Sequence, residues 1–277
     1  MKLRITTLVE DTVGGRGLLA EHGLCFWIEL GPRKILFDTG QGLVLTGNAR
    51  QLGVRLKQAE AVIISHGHYD HTGGLSETLR LVGKRRVYAH PAALTPKYAR
   101  NTDGSAREIG IPFLDEQKIR GQADLILTEG PMDIGEGLHL TGPVPRRTNF
   151  EDVGGQFFTD PDCLRPDAIM DDQAAFIETP AGTVVILGCA HAGVVNTLDY
   201  IRELTGNRRI HTVLGGMHLL AAGSGRMHKT VDGLCRIDAR RLLPCHCTGF
   251  AALAWLWHAF PDQCAPCHAG TVFDWNE

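Results

Sequence analysis

Three histidines and an aspartate crowd into one short run, with His66, His68, Asp70 and His71 inside SHGHYDHTGGL at 65–75. Imidazole nitrogen and carboxylate oxygen at this density are the donors a divalent cation takes, zinc first and iron or manganese as alternatives. His66 and His68, two apart, project to one side of an extended turn. Asp70 and His71 then face a second position a few ångströms away, the pattern of a two-cation hydrolytic centre. The competing reading is a surface loop in a histidine-rich chain. Thirteen histidines in 277 residues produce this four-residue pattern by chance in roughly 0.002 of such chains, so the metal reading prevails.

A ligand loop needs elements that hold it still. Ala61, Val62, Ile63 and Ile64 form an apolar run that predicts a short buried strand feeding the loop. Gly67, Gly73 and Gly74 allow the turn, and a helix is predicted over 75–81. Upstream, alternation at Leu3, Ile5 and Thr7 predicts a half-buried strand, and 24–30 with 34–37 predict a pair of strands about Gly31-Pro32. A helix is expected over 43–52. Downstream, strands are expected at 86–89, 138–141 and 157–158. A second strand pair at 174–178 and 183–187 turns about Pro180-Ala181-Gly182 and runs into GCAHAG. A helix over 193–205 with Gly206 at its carboxyl end follows, then a strand over 209–214 ending in GGMHL. Further helices are predicted over 229–240 and 250–260, with short strands at 242–243 and 271–273. Strands alternating with helices argue a layered α/β sandwich. Residues 91–121, rich in charge, proline and glycine, are read as an insertion or lid on a single domain spanning 1–277.

Composition narrows the function. With 43% hydrophobic residues the chain can bury a full core, and a formal net charge of −3 leaves no basic footprint for nucleic acid. The first ten residues carry no long apolar run, and no 18-residue apolar stretch exists. Neither an export signal nor a membrane span is therefore expected. Eight cysteines without an export signal suggest reduced thiols and a cytoplasmic location rather than a disulfide framework. Cys245, Cys247, Cys264 and Cys267 nevertheless spell CxC…CxxC. A structural zinc or iron–sulfur cluster is one reading, and thiols packed into the core the favoured one. CAPCH at 264–268 imitates a haem-attachment string, but that chemistry requires export.

The motif H-x-H-x-D-H after a strand resembles the metallo-β-lactamase superfamily. Its dihydropteroate-synthase-like branch, which includes the pterin–ribofuranosylaminobenzene phosphate synthases, is similar over ILFDTG at 35–40, TNFE at 148–151, DDQAAF at 171–176, GCAHAGVVN at 188–196, LGGMHL at 214–219 and PCHCTG at 244–249. The resemblance implies a four-layer αββα sandwich. It makes His191 the third ligand of a first cation with His66 and His68, and sets His246 beside Asp70 and His71 at a second. Three protein ligands per cation leave an open position, the mark of a catalytic centre. Asp38, in FDTG, would hold the ligand loop by hydrogen bonds, a plain turn aspartate being the alternative. Glu151 and Asp172 would stand behind the ligands or beside substrate, and His218 would act on substrate as acid or base or contact a phosphate. The sequence departs from the superfamily at one point. The strand that commonly delivers a bridging aspartate here ends in Gly188-Cys189, so either Cys189 approaches the cations or solvent alone bridges them.

Three functions follow from that resemblance. The first is a metal-dependent hydrolase whose cation-bound water, with Asp70 central, attacks a phosphoester, ester or lactone. The second is a transferase joining a dihydropterin-methyl diphosphate to ribofuranosylaminobenzene phosphate. The third is a non-enzymatic metal or ligand sensor. A full ligand set with open positions favours an enzyme, acting on a small, phosphate-bearing molecule.

Overall fold

The computed structural model describes residues 2–112 and 115–276. The chain divides into two compact units, the first drawn from 1–128, 156–171 and 268–277 and the second from 129–155 and 172–267.

The first unit is built on β1 (Lys2–Val9), β2 (Cys25–Leu30), β3 (Arg33–Phe37), β4 (Ala61–Ile63), β5 (Arg86–Ala89), β6 (Tyr98–Arg100), β7 (Ala106–Glu108) and β8 (Asp124–Leu127). Its helices are α1 (Leu45–Gln51), α2 (Tyr69–Thr72), α3 (Leu75–Val82) and α4 (Glu116–Gln122). The second unit contains β9 (Met132–Asp133) and β10 (Leu138–Leu140). The chain then returns to the first unit for β11 (Phe157–Phe158). Back in the second unit come β12 (Ala175–Thr179), β13 (Gly182–Leu187), α5 (Val194–Leu204), β14 (Ile210–Gly216), α6 (Ser224–Ile237), β15 (Arg241–Cys245) and α7 (Phe250–Ala259). The closing strand, β16 (Val272–Asn276), belongs to the first unit and pairs antiparallel with β1.

Both main sheets follow one plan. In the first unit the order is β16-β1-β2-β3-β4-β5-β8, with β2 and β3 a hairpin and β3, β4, β5 and β8 parallel. In the second it is β15-β14-β13-β12-β10-β9, with β12 and β13 a hairpin and β13, β14 and β15 parallel. Parallel neighbours need crossovers, and helices supply them: α3 between β4 and β5, α5 between β13 and β14, α6 between β14 and β15. Buried strands of this kind read as continuous apolar runs, and GTVVIL in β13 is buried throughout. In open parallel sheets the loops at the carboxyl ends of strands carry the chemistry. The run at 65–75 leaves β4 at that end, and GCAHAG, GGMHL and PCHCTG leave β13, β14 and β15.

The helices follow their apolar spacing. Leu75, Leu79 and Val82 bury one face of α3, and Val194, Leu198 and Ile201 one face of α5. Gly206, just past α5, takes the left-handed φ of 64° that ends such a helix. The sixth helix begins at Ser224, a turn and a half before its predicted start. Glycines at 223 and 225 hide that turn in the sequence, and Gly223 precedes it in extended conformation. The predicted lid over 91–121 contains β6, β7 and α4, and β6 and β7 join β11 in a three-stranded sheet. Residues 113 and 114 of that stretch lie outside the described residues. Among the described residues no helix is long and apolar enough to cross a membrane.

Asn48 in α1 ties three segments together. Its side-chain amide donates to the carbonyls of Leu8 and Leu19 at 2.8 and 2.7 Å, and its oxygen accepts the Leu19 N–H at 2.9 Å. Asn48→Ala strands buried backbone groups and should destabilise the protein by about 2–3 kcal/mol, read as a lower urea midpoint at unchanged slope. An unchanged midpoint would show that water satisfies those groups.

Candidate metal centre

In the first unit the chain leaves β4 at Ile63 and places His66, His68, Asp70 and His71 within the loop and the single turn of α2. All four side chains are buried. Nε2 of His66 and Nδ1 of His68 face each other at 3.0 Å. Oδ2 of Asp70 lies 3.7 Å from Nε2 of His71. The loop thus sets His66 beside His68 and Asp70 beside His71.

Asp38 sets the ring orientations. It follows β3 at a left-handed φ of 60°, a strained geometry for a residue other than glycine. Its carboxylate accepts the Ser65 N–H at 2.8 Å, the Ser65 hydroxyl at 2.7 Å and Nδ1–H of His71 at 2.7 Å. The His71 lone pair is therefore on Nε2, toward Asp70. Ser65, having given its proton to Asp38, accepts Nδ1–H of His66 at 3.0 Å. The His66 lone pair is then on Nε2, toward His68. This is how outer groups prepare imidazoles for a cation. Asp38 thus ties Ser65 and His71 together by hydrogen bonds.

A buried ion pair braces the same loop. Lys97, 1% exposed, reaches Asp167 and Asp171 at 2.8 Å each, and Asp171 accepts the Gly67 N–H at 2.7 Å. Burial disfavours the ammonium charge, but Asp171 and Asp167 outweigh it and raise the Lys97 pKa. Gly67 is required where it stands, because a Cβ there would lie 2.2 Å from the Ala93 carbonyl oxygen. Sequence reasoning singled out Asp172 and passed over Asp171, Lys97 and His22. His22 places Nε2 3.3 Å from Asp70 while Nδ1 meets Asp11 at 3.0 Å. Lys97 and His22 sit in no motif, and Asp171 opens DDQAAF with nothing there to mark its role, so only the folded chain reveals their contacts.

In the second unit His191 follows β13 and is fully buried. Its Nδ1–H donates to the Val153 carbonyl at 2.8 Å, which leaves the lone pair on Nε2. Asp172 accepts the Ala192 N–H at 2.8 Å and so holds the backbone beside His191. Glu151 accepts the Val195 and Asn196 N–H groups at 2.8 and 2.9 Å. It caps α5 and thereby fixes the loop that carries His191. Burial pushes the Glu151 pKa up while those N–H groups pull it down, and burial prevails. His246, 6% exposed, opens a short 3₁₀ turn after β15 at φ 51°. His218 follows β14 at φ 47°, stacked 4.1 Å from the His191 ring. It borders a cavity of about 380 Å³ lined also by Phe150, Asp152, Gly154 and Arg226. Cys189 and Cys247 lie with His218, their ligand atoms all within 4.8 Å of one another. Among the described residues, no group able to hold a cation includes Cys245, Cys264 or Cys267. Burial raises the Cys264 pKa to about 11, and all three thiols sit in the core. None of the eight cysteines is in a disulfide.

Nitrogen and oxygen donors with fixed tautomers, at the carboxyl ends of parallel strands, suit a transition-metal cation. Comparison with known proteins agrees. Residues 19–161 match the family model described as the metallo-β-lactamase superfamily, and the chain belongs to that superfamily. It is 27% identical to the 7,8-dihydropterin-6-methyl-4-(β-D-ribofuranosyl)-aminobenzene-5′-phosphate synthase of Methanocaldococcus jannaschii, over 98% of this chain and 96% of that protein. An uncharacterized protein of the same organism is 32% identical over 89% of this chain and 91% of its own. Among solved structures, Tm1679, described as a metal-dependent hydrolase of the β-lactamase superfamily, is 33% identical with a TM-score of 0.85, over 99% of this chain and 100% of that one. The fold class is thus the α/β metallo-β-lactamase type that the sequence motifs predict. Proteins of this superfamily generally bind metal ions and are mostly metal-dependent hydrolases.

Two expectations follow. Lys97→Met leaves Asp167 and Asp171 buried without their cation, and should cost about 3–5 kcal/mol in urea unfolding. A loss below about 1 kcal/mol would mean that the loop is braced elsewhere. The second concerns metal-free protein, where burial holds the His68 pKa down to about 4 from 6.5. Above pH 6.5 the ring is neutral in folded and unfolded chains alike. Between 6.5 and about 4 the unfolded chain takes a proton that the folded chain refuses. Stability therefore falls as pH falls through that window, by on the order of 3 kcal/mol in all. Histidine NMR of His68 should titrate near 4, and a midpoint near 6.5 would refute the buried geometry.

Proposed function

We propose that the chain is a metal-dependent hydrolase acting on a small, phosphate-bearing ester, with two divalent cations, zinc foremost. The observation that carries this reading is the pairing of buried donors in the loop after β4, His66 with His68 and Asp70 with His71. Family membership supports adding His191 to the first pair and His246 to the second. Both follow parallel strands of the second unit, and His191 carries a fixed tautomer.

The cations, when bound, would lower the pKa of coordinated water and offset negative charge developing on the substrate oxygens. The chain's own part is orientation. Asp38 and Ser65 hold the lone pairs of His71 and His66 in place. Asp171, held by Lys97, fixes the loop at Gly67. Asp70 alone among the loop donors brings negative charge, so it would set the charge of the second position.

A second reading is favoured by the 27% identical synthase, which is similar over nearly the whole chain. Under it the same donors hold the diphosphate leaving group of a dihydropterin while an arylamine ribose phosphate attacks. A panel of phosphodiesters, lactones and pterin diphosphates, offered to one metal-loaded preparation, separates the two. Hydrolysis of the esters supports the first reading, and pterin–arylamine product without ester hydrolysis supports the second. Elemental analysis should find one to two equivalents of transition metal per chain. Asp70→Asn should lower turnover by on the order of 10²-fold with reduced metal content. Unchanged turnover in that variant would eliminate the two-cation mechanism.

A further inference from the structure

We propose that Cys189, His218 and Cys247 form a thiophilic cation site within the second unit, taking a soft or borderline divalent ion such as zinc or cadmium. The three residues come from the loops after β13, β14 and β15, three adjacent parallel strands. One ligand atom from each lies within 4.8 Å of the other two. The two cysteines are 2% and 7% exposed. A tetrahedral site with metal–sulfur bonds of about 2.3 Å and a metal–nitrogen bond of about 2.0 Å needs donors only a little closer than this.

Hydrogen bonds already converge on the sulfur. The His218 N–H donates to Sγ of Cys247 at 3.3 Å, and Cys247 in turn donates to the Cys189 carbonyl at 3.6 Å. Nε2 of His218 faces the Gly154 carbonyl at 3.3 Å, which turns Nδ1 toward the other side of the ring. The backbone accepts strain to achieve this. Ala190, His218 and His246 all adopt left-handed φ angles, of 54°, 47° and 51°, each costing on the order of 1 kcal/mol or more. Gly216 completes the fit, since a Cβ there would lie 2.5 Å from Sγ of Cys247.

Cysteines that merely fill a core need none of these arrangements. Cys264 and Cys267, also buried, join no group of donors among the described residues. Two thiolates select zinc-like and softer ions while Asp70 suits harder ones, although Cys189 also lies within 4.8 Å of a His191 nitrogen. Binding exchanges the two thiol protons, released to water, for two metal–sulfur bonds, and His218 contributes a neutral nitrogen. His218, expected from the sequence to work on substrate, becomes a ligand.

The test is a cadmium titration of chelator-stripped, reduced protein, in a Cys235→Ser background that removes the exposed thiol. Thiolate-to-cadmium charge-transfer absorption in the near ultraviolet reports sulfur ligation directly. The expected result is a single saturable rise. It should be weakened roughly tenfold or more in affinity by Cys247→Ser, by Cys189→Ser and by His218→Ala, and restored by His218→Cys, which also shows that the fold survives. The His66→Ala/His68→Ala double variant should keep the band while losing metal from the imidazole set. Its behaviour thus separates failure of this proposal from failure of the hydrolase reading. A band absent from the starting protein, unchanged in Cys247→Ser, or lost with His66 and His68 would overturn the assignment.

Discussion

Buried imidazole nitrogens must be given partners, and much of the first unit exists to meet that demand. A desolvated polar atom left alone costs a few kcal/mol. The loop after β4 buries three histidines and an aspartate within six residues. Asp38 answers by accepting from Ser65 and His71 at once, and Ser65 relays the arrangement to His66. The Nδ1 protons of His66 and His71 both point away from the Nε2 atoms that face His68 and Asp70. Those two Nε2 atoms offer lone pairs, and Asp70 brings negative charge, both of which suit a cation. The loop's small residues follow from the same demand: Ser65 is short enough to sit inside the relay, and Gly67 lets the backbone pass against Ala93.

Rigidity around the donors comes from charge as well as packing. Lys97 with Asp167 and Asp171 would make little sense as a stabilising device alone, because desolvating three charges consumes most of what their attraction returns. Its value lies in direction. Asp171 is held so that its second oxygen meets the Gly67 N–H, and a ligand loop pinned at its middle loses little freedom when a cation binds. In the second unit the same task falls to Glu151 and Asp172, which hold the backbone on either side of Gly193 through Val195, Asn196 and Ala192. Carboxylates that the sequence brings forward as neighbours of a site are thus backbone clamps in the folded chain.

Much of this was legible in the sequence because strands and ligands share short runs. The apolar stretch before His66, the pairs of strands about Gly31-Pro32 and Pro180-Ala181-Gly182, and the helix ending at Gly206 were all readable from spacing. Asp38 was readable only through resemblance, since FDTG alone also describes a turn. Three things were hidden. The short strands β6, β7 and β8 lack the length to show a period, and β6 and β7 are paired with β11, far along the chain. The first turn of α6 was masked by glycines. Lys97 and Asp171, 74 residues apart, meet only through the fold; no local pattern marks a buried lysine, whose composition signal is that of any surface cation.

Strain tells the last part. Non-glycine residues at left-handed φ angles stand at the carboxyl ends of β3, β13, β14 and β15, as Asp38, Ala190, His218 and His246. A strand end can turn in many ways without such strain, so costly turns at these four ends around the candidate donors imply that side-chain direction, not chain reversal, is what the backbone is bent to secure. Two of the four residues are histidines, a third hydrogen-bonds to His71 and, through Ser65, reaches His66, and Ala190 stands between Cys189 and His191. The alanine is the informative one. With no functional group of its own, it can be strained only for its neighbours, and across the turn at Ala190 the Cys189 thiol and a His191 ring nitrogen come within 4.8 Å of each other. One short loop thereby presents sulfur and nitrogen side by side.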